Sequence, residues 1–174
     1  MPVTRLNHAV LYVRDVEHTR EFYEGALGFR TTMWRPGQAA FFRAPGSTND
    51  HDLGTFQIGA GAAASRAGRG TVGLYHLAWE VDTLAELERI GQVLTERGAL
   101  VGASDHATTK SLYAHDPDGI EFEVCWLVPA ALLSDDVLAA AREAPIRPLD
   151  LAAELARYGP DTRGGVGVSH AAPA

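Results

Sequence analysis

One structural pattern occurs twice along this chain, and the repeat restricts the fold more than any other feature. Each copy predicts a strand, a capped helix and three further short strands. The first copy predicts strands at 5–13, 30–35, 39–43 and 52–58, with a helix that Asp15 caps and Gly28 ends. The second predicts strands at 74–81, 99–104, 110–115 and 120–128, with a helix that Thr83 caps and Gly98 ends.

The two copies can be overlaid residue by residue. Asn7-His8-Ala9 aligns with Tyr75-His76-Leu77, and Phe56-Gln57-Ile58 aligns with Phe122-Glu123-Val124. The overlay predicts an α+β fold of two βαβββ modules, paired by pseudo-twofold symmetry into a curved mixed sheet around a cavity.

The segments outside the repeat set the predicted domain organisation. The modules lie at about 4–58 and 74–128, and together they form a single predicted domain over 1–128. The Gly/Ala-rich linker at 59–73 between them is predicted to be a flexible surface connection. Residues 129–174 form a helical C-terminal extension with two short helices, of which Ser134 caps the first and Pro145 ends it. The stretch after Pro160 has few large apolar residues and is expected to be loosely held.

Three polar residues at related places in the repeat form a candidate metal site. His8 aligns with His76, and Glu123 lies in the last strand between the apolar residues Phe122 and Val124. Because strand side chains alternate between faces, pairing equivalent faces of the modules would bring the three residues into the cavity. Two histidines and one carboxylate are the ligand set of non-haem Fe(II) oxygenases, which leaves positions for substrate oxygens and O2. A lone strand histidine is usually an ordinary core or surface residue, but the repeat equivalence of His8 and His76 favours the metal site.

The charge balance and the cysteine count exclude several partners and compartments. The formal net charge is −7 and no block of Lys or Arg occurs, which argues against nucleic acid and against an anionic membrane surface. No apolar run approaches the roughly 18 residues of a membrane span, and the N-terminus lacks the layout of a signal peptide. Cys125 is the only cysteine, so we expect no internal disulfide and a cytoplasmic protein.

These features resemble the vicinal oxygen chelate superfamily. That superfamily includes glyoxalase I, type I extradiol dioxygenases, fosfomycin-modifying enzymes and bleomycin-binding proteins. The resemblance rests on the twofold unit with His8, His76 and Glu123 at corresponding places, and it covers about residues 4–128. It implies a single vicinal oxygen chelate domain over 1–128 in which these three residues bind the metal.

Three further segments resemble those of extradiol ring-cleaving dioxygenases. Asp50-His51-Asp52-Leu53 is similar to the segment that carries their acid–base histidine. Asp105-His106-Ala107-Thr108, followed by Ser111-Leu112-Tyr113, is similar to the segment whose histidine and tyrosine contact the substrate, although Ala107 and Thr108 replace the usual Gly-Val pair. The stretch from Tyr113 to Glu123 is similar to the end of their signature.

The resemblance implies a one-domain, Fe(II)-dependent dioxygenase that opens a catechol-like diol with O2. His51 would donate the proton, while His106 and Tyr113 would orient the diol. Mn(II) accepts the same ligands as Fe(II).

Two alternatives stay open. A glyoxalase-type metal-dependent lyase or isomerase could use Gln57 at the fourth symmetric place, and a metal-free binding protein of the antibiotic-resistance type would need only the cavity. For the dioxygenase and for both alternatives we expect the partner to be a small molecule, and we expect binding neither to nucleic acid nor to a membrane. Short strands with open edges and an apolar stripe on the second tail helix predict a homodimer or a larger homo-oligomer.

Overall fold

The structure is a computed structural model that describes residues 2–3, 5–67, 70–143 and 146–165. The chain divides into two compact units. The first runs to Arg66 and includes Asp116–Ile120, and the second comprises Ala67–His115 and the chain from Glu121 onward. Each unit has its own mixed sheet, so the predicted α+β class is confirmed. Among the described helices, none is long and apolar enough to cross a membrane.

The first unit contains a four-stranded mixed sheet and one helix. Its elements are β1 (Ala9–Val13), α1 (Val16–Leu27), β2 (Arg30–Arg35), β3 (Ala39–Arg43) and β4 (Leu53–Gln57). The strand order is β1-β4-β3-β2, in which β1 and β4 run parallel and the other neighbours antiparallel. This is the predicted βαβββ module, except that its first strand begins at Ala9 and not at residue 5.

Helix α1 begins and ends where the sequence predicts. The Asp15 carboxylate accepts a 3.0 Å hydrogen bond from the backbone N–H of His18, which satisfies one donor of the first turn. Gly28 ends the helix with φ +69°, a conformation that glycine adopts without steric cost. The helix packs against the sheet, where the ring centroids of Tyr23 and Phe42 lie 6.1 Å apart.

The turn Asp116–Ile120 belongs to the first unit and has a structural role. The Arg14 guanidinium donates to Asp118 at 2.7 Å, and the Tyr23 hydroxyl donates to Asp116 at 3.3 Å. Asp116 also accepts hydrogen bonds from the backbone N–H groups of Asp118 and Ile120, each at 2.9 Å. Burial raises the pKa of Asp116.

The second unit repeats the module and extends it with the tail. Its strands are β5 (Leu77–Glu80), β6 (Leu100–Asp105), β7 (Thr109–His115), β8 (Glu121–Leu127) and β9 (Arg147–Pro148), in the order β5-β8-β7-β6-β9. Its helices are α2 (Leu84–Glu96), α3 (Asp135–Glu143) and α4 (Leu151–Tyr158), with a 3-10 turn at Ala130–Leu132. Thr83 caps α2 as predicted, accepting a 3.2 Å hydrogen bond from the Glu86 N–H. The buried face of α2 consists of Leu84, Leu87, Ile90 and Leu94.

The C-terminal tail packs as part of the second unit. The two predicted helices are present as α3 and α4, and the Asp150 carboxylate caps α4 by accepting from the Ala153 N–H at 3.0 Å. Pro145, which was expected to end α3, lies outside the described residues, as do residues 166–174. Whether residues 1–128 form one domain by themselves stays a prediction.

The prediction of a loosely held end is wrong as far as Gly165. The Trp126 indole donates a 3.2 Å hydrogen bond to the Thr162 carbonyl, and the Gly165 N–H donates a 3.0 Å bond to the Leu127 carbonyl. Backbone groups of the segment therefore both accept and donate the hydrogen bonds that hold it, and a count of large apolar residues does not detect such bonds.

A buried lysine, which the sequence analysis missed, joins the tail to the second sheet. Lys110 on β7 is only 1% exposed. Its ammonium nitrogen lies 2.6 Å from Asp105 and 2.9 Å from Glu154 of α4. Arg147 of β9 adds a second cation 2.9 Å from Asp105. Because burying an unpaired charge is costly, the tail carboxylate and the sheet lysine stabilise each other's burial.

Removing the Lys110 charge alone should strongly destabilise the protein. In Lys110→Met the carboxylates of Asp105 and Glu154 lose their shared cation, and we expect the free energy of unfolding to fall by about 3 kcal/mol. The double variant Lys110→Met/Glu154→Met replaces the pair with apolar side chains and should recover part of that loss, because Asp105 keeps only Arg147 as its cation. Urea unfolding of the wild type, both single variants and the double variant measures the coupling. Strictly additive effects of the two changes would contradict the pairing.

The same network predicts how stability depends on acid. Burial alone would raise the pKa of Asp105, but its hydrogen bond and charge interaction with Lys110, with help from Arg147, outweigh burial and lower that pKa. Such a carboxyl contributes stability above its unfolded pKa of about 3.9 and loses it as the pH falls through the folded value. Asp105→Asn should therefore be less stable at neutral pH and should lose less stability below about pH 4. Urea midpoints across pH 3–7 would measure this, with exposed Glu88→Gln as the charge-matched control. An unchanged acid dependence in Asp105→Asn would contradict it.

Candidate active site

His76 and Glu123 face each other in the second unit. The sequence predicts His76 inside a strand, but in the structure His76 immediately precedes β5. β5 runs parallel to β8, and Ala78 pairs with Glu123. His76 Nε2 lies 3.1 Å from Glu123 Oε2. The other carboxylate oxygen accepts a 2.5 Å hydrogen bond from the hydroxyl of buried Ser111. An imidazole nitrogen and an oriented carboxylate oxygen therefore converge at this point, and both are donors that non-haem iron accepts.

His106 and Tyr113 form a hydrogen-bonded pair in the same unit. His106 Nε2 lies 2.9 Å from the Tyr113 hydroxyl, and the Tyr113 and His76 ring centroids lie 5.8 Å apart. Burial, followed by the nearby Glu123 carboxylate, raises the pKa of Tyr113. The phenol therefore stays protonated at neutral pH and keeps its hydrogen available for donation.

The turn that carries His106 is strained, and a hydrogen bond from its backbone to Asp105 fixes it. Ala107 has φ +64°, a left-handed conformation that non-glycine residues rarely adopt, and the similar segment of extradiol dioxygenases has glycine at this position. The Asp105 carboxylate accepts a 2.7 Å hydrogen bond from the Ala107 N–H and also pairs with Lys110. The buried lysine network thus holds the turn from which His106 projects.

His8 and His51 lie together in the first unit. Their ring centroids are 4.5 Å apart, and the edge of the Phe41 ring meets His51 at 5.0 Å. His51 Nδ1 lies 3.0 Å from the Asp50 carboxylate, and this hydrogen bond lowers the pKa of Asp50. His8 precedes β1 in the same way that His76 precedes β5, so the prediction that both histidines lie within their strands is wrong.

Asp52 does not share the orientation of Asp50. Its carboxylate accepts hydrogen bonds from the Ala44 N–H at 2.9 Å, from the Ser47 hydroxyl at 2.7 Å and from the Asn49 amide at 2.7 Å. Asp52 therefore organises the loop before β4, and Asp50 is the carboxylate that contacts His51.

The alignment of Gln57 with Glu123 is wrong. Within the first sheet Val10 pairs with Gly54, and within the second sheet Ala78 pairs with Glu123. Since Val10 and Ala78 each lie two residues after the aligned histidines, the position that corresponds to Glu123 is Gly54, which has no side chain. Gln57 instead accepts a 3.0 Å hydrogen bond from the Val16 N–H at the start of α1.

The complete three-ligand site stays a prediction. Within the part of the chain that the structure describes, no group of three or more His, Cys, Asp or Glu side chains is arranged to hold a metal ion. The structure brings together two of the predicted ligands, His76 and Glu123, in one unit. Cys125 is buried on β8, and burial raises its thiol pKa to about 12.

Two residues at this site were missed as candidates. Ser111 contacts Glu123, and strand alternation could have indicated it because Ser111 and Tyr113 share one face of β7. Glu121 lies on the same face of β8 as Glu123, with one oxygen 4.0 Å from His76 Nδ1. Its role could not be inferred without the register between β5 and β8.

Comparison with known families identifies the superfamily to which the chain is related. Residues 5–124 match the model of the Glyoxalase/Bleomycin resistance protein/Dioxygenase superfamily. The chain belongs to this superfamily. The resemblance inferred from the repeat is thereby confirmed.

Relatives within the superfamily carry several different activities in their names. The chain is 30% identical over 122 residues to catechol-2,3-dioxygenase of Bacillus subtilis (strain 168), a match that covers 70% of the chain and 41% of that protein. Among solved structures it is similar to lactoylglutathione lyase from Agrobacterium tumefaciens, with a TM-score of 0.52 and 23% identity over 72% of the chain and 95% of the lyase. It is also similar to a fosfomycin resistance protein from Listeria monocytogenes, with a TM-score of 0.53 and 16% identity over 71% of the chain and 93% of that protein. The two structural similarities show the fold alone.

Proposed function

We propose that the protein is a cytoplasmic, Fe(II)-dependent extradiol dioxygenase that opens a catechol-like diol with O2. The observation that carries this proposal is the placement of the His76–Glu123 donor pair beside the His106–Tyr113 pair in one unit. The first pair suits a metal, and the second suits the oxygens of a diol. The similarity to a protein named catechol-2,3-dioxygenase supports the choice of reaction.

The proposed ligands are His8 of the first unit together with His76 and Glu123 of the second. Two imidazoles and one carboxylate are a set that suits Fe(II). His76 Nε2 and Glu123 Oε2 already face each other, and Ser111 fixes the carboxylate from behind. When bound, Fe(II) would supply the Lewis acidity that ionises a diol hydroxyl and the redox chemistry that O2 requires. Mn(II) accepts the same ligands and stays an alternative.

Tyr113 and His106 would orient the diol. The protonated Tyr113 hydroxyl donates a hydrogen bond to a substrate oxygen, and His106, 2.9 Å away, fixes the direction of that hydroxyl. The position of His106 in turn depends on the Ala107 turn and on Asp105.

His51 would act as the acid–base residue. Asp50 holds the Nδ1 edge of the ring at 3.0 Å, and Phe41 packs against the ring. The Nε2 edge is therefore the one that would give and take the proton during ring opening.

The glyoxalase-type lyase is less well supported. It would use a fourth ligand at the position of the first module that corresponds to Glu123, but the strand registers put Gly54 there, and Gln57 accepts a hydrogen bond from the Val16 N–H. A metal-free binding protein is the alternative from another class, and metal dependence distinguishes it from both enzymes.

We also propose that the partner in solution is a second copy of the chain. β2 ends the first sheet as an edge strand, and an edge strand offers backbone groups with which a second copy can pair. Sedimentation velocity at micromolar concentration should give a homodimer or a larger homo-oligomer. A clean monomer would contradict this expectation.

The reaction is tested by anaerobic loading with Fe(II), followed by a panel of substituted catechols in air-saturated buffer. We expect oxygen uptake together with the visible absorbance of a ring-opened product, and no uptake in the Zn(II)-loaded control. Formation of lactoylglutathione without oxygen uptake would favour the lyase. Catechol binding that is independent of any metal would favour the binding protein.

A further inference from the structure

His76 has one ring nitrogen directed at Glu123 and a second whose partner is missing. Nε2 lies 3.1 Å from Glu123, whereas Nδ1 is buried and has no hydrogen-bond partner among the described residues. A buried donor left in this state costs about 1–3 kcal/mol, so an acceptor close to it is significant. The carboxylate that lies towards Nδ1 is Glu121, whose Oε1 is 4.0 Å away.

The fold explains why Glu121 lies there. Side chains alternate along β8, so Glu121 and Glu123 project from the same face. The parallel register pairs Leu77 with Phe122, which places His76 level with Glu121 at the start of both strands. Each ring nitrogen of His76 therefore has a carboxylate near it: Nδ1 has Glu121 and Nε2 has Glu123.

Glu121 also has a second histidine neighbour. Its Oε2 lies 3.7 Å from Nε2 of His115, which is its register partner at the end of β7. The His115 side chain is 46% exposed and can bind water, whereas His76 Nδ1 is buried and cannot. Rotation of the Glu121 side chain would shorten the 4.0 Å separation to a hydrogen bond.

We propose that Glu121 is a positioning residue that accepts a hydrogen bond from His76 Nδ1–H and so orients His76 as a metal ligand. An imidazole that binds a metal through Nε2 carries its proton on Nδ1, and a carboxylate partner there fixes the tautomer and the ring plane. Glu121 does not itself bind the metal. This inference rests on the proposed function, because it requires His76 to be a ligand.

Metal affinity tests the inference without any turnover. Mn(II) binding is measured from the electron paramagnetic resonance signal of the free ion. We expect Glu121→Ala to weaken Mn(II) binding about 10- to 100-fold, the usual effect of losing an outer-shell partner. Glu121→Gln keeps an acceptor oxygen and the side-chain shape, and should lie between Glu121→Ala and the wild type.

Two control variants separate orientation from charge and from local packing. Glu96→Ala removes an exposed carboxylate from α2, and His115→Gln removes the other neighbour of Glu121. Both should bind Mn(II) as the wild type does. In the Zn(II)-loaded protein, the Nδ1–H proton of His76 should be visible by NMR in the wild type and lost to exchange in Glu121→Ala.

Each result has a definite meaning. Wild-type affinity and an unchanged Nδ1–H signal in Glu121→Ala would overturn the positioning role. Complete loss of Mn(II) from both Glu121 variants, equal to the loss in His76→Ala, would make Glu121 a ligand and overturn the proposal in another way. A wild-type protein that binds neither Mn(II) nor Fe(II) would overturn the proposed function itself, and that failure is recognised before any variant is made.

Discussion

His76→Ala and Glu123→Ala should each lose stoichiometric Fe(II) and, with it, all ring-cleaving activity. Each change removes one of three proposed ligands, so the loss of affinity should exceed the roughly 100-fold that an outer-shell partner contributes. His76 lies just before β5 and Glu123 lies within β8, and both side chains are partly exposed, so the fold should survive. Metal content after anaerobic loading and desalting measures the first effect, and far-UV circular dichroism checks the fold.

Matched variants make this result specific. Ser111→Ala removes the 2.5 Å hydrogen bond to Glu123 and should weaken iron binding without abolishing it. His115→Gln changes a neighbouring histidine that is not a proposed ligand and should retain iron. His8→Ala tests the third ligand and should match His76→Ala. If His76→Ala and Glu123→Ala both kept the wild-type iron content, the ligand assignment would be wrong.

His51→Phe should bind iron and catechol but lose turnover by about 10²–10⁴-fold, the usual range for one acid–base group. The phenyl ring can keep the contacts with His8 and Phe41, whereas it cannot exchange a proton. Anaerobic titration with a catechol measures binding, and oxygen uptake at saturating catechol measures turnover.

The effect of His51→Phe should differ from that of a change at its carboxylate partner. Asp50→Asn keeps a hydrogen-bond acceptor beside Nδ1, so we expect a much smaller loss of turnover than in His51→Phe. Loss of iron from His51→Phe would make His51 a ligand and would favour the lyase. Undiminished oxygen uptake would remove its acid–base role.

Local signals in the sequence predicted most of the elements. Asp15, Thr83 and Gly28 mark helix ends through hydrogen bonds and dihedral angles that involve only a few neighbouring residues, and each acts as predicted. The sequence likewise predicted that Glu123 lies between two apolar strand residues, and Phe122 and Val124 are both buried in β8. Such features need no knowledge of distant contacts.

Long-range register and tertiary pairing explain the errors. Gln57 was aligned with Glu123 on sequence similarity, but β1 pairs with β4 in a register that makes Gly54 the equivalent position. Lys110 gave no signal because its partner Glu154 lies on a helix of the tail. The orientation of Glu121 towards His76 also depends on how two strands far apart in sequence pair.

A single turnover under ¹⁸O2 tests the central claim most directly. Protein loaded anaerobically with Fe(II) is mixed with a catechol and then with labelled O2, and the product is analysed by mass spectrometry. An extradiol dioxygenase should give a ring-opened product that carries both oxygen atoms of O2, with one aldehyde or ketone and one carboxylate, because the ring opens beside the diol. A dicarboxylate formed by cleavage between the two hydroxyls, or the absence of any labelled product from iron-loaded protein, would contradict the account.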